Sequence, residues 1–67
     1  MKHYSVEYQA GIAETSEDGH MKSFQVKRTF NTSAKRALCV REIVSRCRKH
    51  AGGCKGYFVG YLRSKEV

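Results

Sequence analysis

Hydrophobic and polar residues alternate strictly near the start of the chain. Tyr4, Val6, Tyr8, Ala10 and Ile12 fall on one side, and His3, Ser5, Glu7, Gln9 and Gly11 on the other. A period of two predicts a half-buried strand over residues 3–12. The stretch Ala13 to Gly19 is polar, ends in Asp18-Gly19 and predicts a hairpin loop. A second alternation follows, with Phe24, Val26, Arg28 and Phe30 against Ser23, Gln25, Lys27 and Thr29. The two runs are expected to pair as an antiparallel hairpin with their apolar faces on the same side.

The spacing changes after Asn31-Thr32-Ser33, which are residue types that cap helix starts. Ala37, Val40, Val44 and Cys47, with Ile43 at the margin, fall within an arc of roughly 120° at helical spacing. Leu38 falls on a half-exposed flank. The helix is expected to end near His50 or Ala51, where Gly52-Gly53 offers a left-handed cap. Arg46, Arg48 and Lys49 in the last turns suit the negative end of the helix dipole. Tyr57 to Arg63 is aromatic and β-rich and predicts a third strand.

Strand–strand–helix–strand order implies a single two-layer α+β domain over 1–67, of ββαβ type. A right-handed crossover sets the third strand beside the first, giving an antiparallel sheet of order 2-1-3 with the helix on one face. Parallel pairing of strand three with strand two is the competing arrangement. One helix leaves one sheet face open. If Phe58 and Leu62 point to the helix, Tyr57, Val59, Tyr61 and Arg63 join His3, Gln25 and Lys27 on that open face.

Charge adds a direction to this layout. The 67 residues hold 13 Lys+Arg against 6 Asp+Glu, and the isoelectric point is near 9.7. Residues 1–19 hold Lys2 against Glu7, Glu14, Glu17 and Asp18, net −3; residues 20–67 hold twelve cations against Glu42 and Glu66, net +10. An acidic hairpin end and a basic body are expected, which suits DNA, RNA or a nucleoprotein complex as partner. The domain is too small to spare core for a roomy active site, so no enzyme activity and no cofactor are expected. No apolar run approaches the roughly 20 residues that cross a bilayer. With no secretory-type leader at the start of this sequence, a cytoplasmic protein is the expectation.

Two surfaces are candidates for binding. The first is the basic helix and its flanking loops, where Lys35, Arg36, Arg41, Arg46, Arg48, Lys49 and Lys55 face the single acid Glu42. Such a face can lie along a phosphate backbone or enter a major groove; a merely solvated basic face is the plainer alternative. Lys35 and Arg36 fall in the predicted first helical turn, against the dipole, where a bound anion would relieve them. The second is the open sheet face, where Tyr57 and Tyr61 could stack on bases beside Lys27 and Arg63. Tyr57, Val59 and Tyr61 on an edge strand would equally suit a protein partner or a second copy.

The cysteines offer little further chemistry. Cys47, His50 and Cys54 could converge, but Cys39 lies about 12 Å from Cys47 along the helix, outside the paired spacings of structural zinc sites. No metal site is expected, and an odd count of three fits reduced thiols. Cys54 or Cys39 with His50 suggests a nucleophile and base, but no third orienting group stands out in the sequence.

The progression Tyr4-Ser5-Val6, Phe24-Gln25-Val26, Phe30-Asn31-Thr32-Ser33-Ala34 and Ala37, then a helix and a closing strand, resembles several small ββαβ proteins. Among them are phage-encoded accessory proteins that inhibit host RNA polymerase or CRISPR effector complexes, and small ribosomal RNA-binding modules. The resemblance spans residues 3–63 as a layout and carries no functional residue across. It implies the two-layer fold and a second functional class, a protein-binding inhibitor or assembly module. The positive charge departs from the acidic, DNA-mimicking inhibitors.

Overall fold

Val6, Tyr8 and Ala10 are fully buried, and their spacing shows why the first strand is central: every second residue of one face meets the helix. In a computed structural model describing residues 1–67, the elements are β1 (Lys2–Thr15), β2 (Met21–Ala34), α1 (Val40–Gly53) and β3 (Tyr57–Glu66). The sheet has the order β2-β1-β3 with both pairings antiparallel. This is the small ββαβ α+β fold that the element order and crossover rule predicted.

The helix contributes Ile43, Cys47 and Ala51 to the core, a stripe with the four-residue spacing of one helix face. Two of the three are small, which lets the helix backbone approach the sheet. Leu38, Phe30, Val26, Phe58, Tyr61 and Tyr4 close the rim of this cluster. The predicted apolar arc is thereby rotated. Ile43 sits at its centre, Val44 is half-buried, Val40 is 62% exposed and Leu38 packs on the core. Ala37 precedes the helix and is exposed.

Both helix ends differ from expectation. Asn31, Thr32 and Ser33 continue β2, where they pair with Ser5, Tyr4 and His3. The ladder to the central strand outcompetes their capping preference, and the cap is Cys39, which makes no side-chain capping bond. Lys35 and Arg36 therefore lie in the connecting loop, outside the first turn. At the other end Gly52 and Gly53 remain helical. The left-handed residue is Lys55 at φ 57°, with Gly56 N–H donating to Ala51 O at 3.0 Å and Lys55 N–H to Gly52 O at 3.4 Å. These are the two bonds of a Schellman cap, displaced past both glycines onto a lysine.

The molecule is elongated, 49 × 16 × 15 Å, with a radius of gyration of 14.0 Å where about 11 Å suits a compact chain of this size. The cause is the hairpin. β3 pairs only with Tyr4 to Gly11, so residues 12–24 project as a two-stranded ribbon beyond the third strand. Ile12 pairs with Phe24 on it, and Phe24 is 43% exposed. Ser16 O accepts from Gly19 N–H at 3.0 Å, and Gly19 takes φ 86° to close the turn. Glu14, Glu17 and Asp18 thus gather at the far end, as the charge pattern predicted.

β3 also corrects the predicted facing. Its register on β1 slips between Glu7 and Tyr8 and again between Gln9 and Ala10, leaving Leu62 and Val59 as extra, unpaired residues. Each bulge shifts the alternation by one. Tyr61 is brought onto the helix side opposite Tyr8, and its hydroxyl donates to Ser64 Oγ at 2.8 Å. Leu62, expected beneath the helix, is 44% exposed.

Two outcomes follow from these positions. Replacing Lys55 by glycine removes a left-handed L-residue and is expected to raise stability by about 1 kcal/mol in a urea melt. Burial pushes the Tyr8 phenol above its ordinary value of 10.0, against the pull of Arg28, and pushes the Cys47 thiol above its ordinary 9.0. Both groups ionise more readily unfolded than folded, so their contribution to stability is complete below about pH 9 and is lost as pH rises further. Melting at pH 7 to 11 checks this; Cys47→Ala is expected to delay the onset of the loss.

Candidate nucleic-acid interface

All seven cations between residues 35 and 55 are exposed. Helical geometry divides those on α1 into two rows. Arg41 and Arg48, seven residues apart, lie on the flank toward β3, and Arg48 rests its guanidinium 5.9 Å from the centre of the Phe58 ring. Arg46 and Lys49 lie on the flank toward β2, and Arg46 donates from Nη1 to Thr32 Oγ1 at 2.8 Å. Ser45 and Gly52, both exposed, form the crest between the rows. Small residues on the crest leave the helix backbone approachable, with positive charge on each side.

Glu42 is the one acid here, and it accepts from Arg36 Nη2 at 2.7 Å. Arg36 beside it holds the carboxyl below its ordinary value. That carboxylate in the first turn also favours the positive end of the dipole. The contact satisfies Arg36 without an anion, so the relief expected from a bound ligand at the helix start is supplied by the chain itself. Lys35, Arg41, Lys49 and Lys55 make no ion pair or side-chain hydrogen bond and are free to meet a partner. Arg48 is oriented by the Phe58 ring and Arg46 by Thr32, with Glu42 one turn from Arg46; neither arginine forms an ion pair.

Lys27 and Arg63 lie elsewhere, on the sheet face opposite the helix. Lys27 is across from Gln9, and Arg63 Nη2 is 3.4 Å from Glu7 Oε2, its partner in register. The hollow beside this pair is lined by Ser5, Glu7, Thr29, Arg63 and Lys65. Its residues are all polar. Tyr57 is the one aromatic ring of this face, 53% exposed and lying across Gly11, where a Cβ would meet its Cζ. Tyr61 has turned to the other side, so the pair of stacking tyrosines expected here is not assembled. Val59 is exposed at a bulge on the β3 edge. The structure thus brings together the helix and loop cations, and separates them from Lys27 and Arg63 by the thickness of the sheet.

One constellation joins residues that the linear sequence keeps far apart. Tyr8 on β1 places its hydroxyl 2.7 Å from His50 Nδ1, and His50 Nε2 lies 3.9 Å from Cys54 Sγ. The orienting group absent from the linear motif stands 42 residues upstream. Only its place in a strict alternation marked Tyr8, and that signal reads as core. Cys47 is buried at the sheet, and no three metal-ligating side chains lie close enough to hold an ion.

No protein-family model, no curated protein and no solved structure matches this chain. No helix is long and apolar enough to cross a membrane.

Proposed function

We propose that this protein is a nucleic-acid-binding accessory module whose helix and flanking loops contact phosphates. The observation that carries the reading is the exposure of Lys35, Arg36, Arg41, Arg46, Arg48, Lys49 and Lys55 around one layer holding a single acid. Two rows of cations about a small-residue crest match a phosphate backbone on either side of a groove. Lys55 adds weight, since glycine suits its left-handed backbone better and the lysine stands there at some cost in stability. The acidic ribbon tip lies at the far end of a 49 Å molecule, so a polyanion draws the helix layer inward and turns the ribbon away. Three unpaired cysteines accord with a reducing cytoplasm.

A protein-binding inhibitor or assembly role is the second reading, favoured by the long outer edge of β2. β2 pairs with β1 without a slip from Met21 to Ala34, and its other edge has no partner. β3 was the expected docking edge, but its two bulges interrupt the row of backbone donors and acceptors that a new strand needs.

Fluorescence anisotropy with labelled duplex DNA, single-stranded DNA and RNA tests the first reading across a salt series. Each neutralised phosphate contributes about −0.9 to the slope of log K on log salt for a duplex and about −0.7 for a single strand. Changing Lys35, Arg41, Lys49 and Lys55 together to Gln is expected to flatten that slope by about 3 units, with the melting profile retained because none of the four side chains makes a polar contact within the chain. An unchanged slope, or no binding at low salt, overturns it. Binding to a protein partner that survives these changes and is lost on adding a proline within β2 would favour the second reading.

A further inference from the structure

We infer that Cys54 is a nucleophilic thiol, held by His50 and Tyr8, that forms a mixed disulfide with small anionic disulfides. The site is built from four parts of the chain. Tyr8 is fully buried on the central strand, where its phenol oxygen lies 2.7 Å from His50 Nδ1 and also meets the Arg28 side chain. Burial keeps the phenol protonated at neutral pH. The Arg28 guanidinium can only donate to the phenol oxygen, which leaves the O–H to donate to Nδ1 and places the imidazole hydrogen on Nε2. That N–H faces Cys54 Sγ at 3.9 Å, placed to steady the sulfur as it attacks. The ring has little freedom to turn away, because it stacks on Phe30 with centroids 4.9 Å apart and meets Tyr8 edge-on.

The backbone fixes the sulfur as firmly. Cys54 N–H donates to His50 O at 3.2 Å and to Ala51 O at 3.1 Å, so residues 50 and 54 stand one turn apart. Cys54 itself is exposed, open to a reagent from solvent.

Charge at the site is positive. Arg28, opposite Tyr8 on β2, has a fully buried Nη1 with no hydrogen-bond partner, and that atom lies 2.9 Å from where a Cβ of Gly56 would stand. Lys55 follows Cys54 directly, with its φ of 57°. Helix carbonyls at this end oppose a thiolate, and the imidazole N–H together with these two cations works against them. Nη1 is the nitrogen of the half-buried Arg28 guanidinium left without a partner, and an anionic group joined to Cys54 would offer it one.

The step balances as thiol–disulfide exchange. Cys54 gives its proton to solvent, and Sγ attacks one sulfur of the small disulfide. The new Sγ–S bond forms as the old S–S bond breaks, and the displaced thiolate leaves with the electron pair and takes a proton from water. Cys54 is oxidised, and the departing half of the reagent is reduced.

Cys39 is the comparison thiol, also exposed and with no histidine contact. It stands at the helix N-cap beside the Glu42 carboxylate, so a faster Cys54 would have to outrun a thiol that the helix dipole assists. Two variants of the full chain, Cys39→Ser and Cys54→Ser, each keep one exposed thiol. Their reaction with 5,5′-dithiobis(2-nitrobenzoate), a dianionic disulfide, is followed at pH 7. Cys54 is expected to react at least about tenfold faster than Cys39. This preference should shrink with the neutral reagent 2,2′-dithiodipyridine. In the Cys39→Ser background, His50→Gln is expected to bring Cys54 down to the Cys39 rate. Tyr8→Phe, which keeps the ring, should slow it partway. Equal rates for the two exposed thiols in otherwise unaltered chains overturn the inference, with no change to the core needed for that comparison. A His50→Gln variant that melts normally and reacts unchanged also overturns it.

Discussion

Everything in this molecule hangs on one contact, the seating of the Ile43–Cys47–Ala51 stripe on Val6, Tyr8 and Ala10. Six buried side chains form the whole closed core, as expected where a chain this short buries only about 60% of its unfolded surface. Because cysteine and alanine are small, the helix lies low on the sheet. A low helix brings His50 within reach of the Tyr8 hydroxyl, Arg48 onto Phe58 and Arg46 onto Thr32. The polar features of the helix layer are thus consequences of its apolar seat.

The same economy explains the shape. A core this small covers about half of the hairpin, and the remainder runs on as a ribbon with no third strand to support it. Two-stranded ribbons are marginal in water, and this one relies on continuity with the supported half and on the Ser16–Gly19 turn. The ribbon also separates charge. Acidic residues gather at its tip, while the cations crowd the helix and the loops at its ends. A long molecule with opposite charge at its two ends is oriented by a polyanion before any contact is made.

Cys54 and the basic layer share a loop. Lys55, which follows the thiol, is also one of the cations proposed to meet phosphate, and its left-handed backbone closes the helix. An anionic adduct on Cys54 would place negative charge beside that cation, so thiol exchange and polyanion binding would act against one another at this end of the helix.

The strands, their antiparallel pairing, the 2-1-3 order and the acidic hairpin end were legible in the sequence, because period-two alternation and crossover handedness are local or topological rules. The clustering of cations on the helix layer was legible too, since charge patterning needs no coordinates. What the linear pattern misjudged depends on competition between partners. Asn31 to Ser33 prefer caps in isolation, yet the central strand offered them a ladder. Gly52 and Gly53 prefer to end helices, yet the cap closed at Lys55. Two bulges in β3 turned Tyr61 toward the core and Leu62 outward, and no spacing rule announces a bulge in advance. Tyr8, His50 and Cys54 met only when the helix crossed the sheet. Alternation and charge belong to the chain itself; which side chain answers which across 42 residues was decided by how closely a helix of small residues could settle on its sheet.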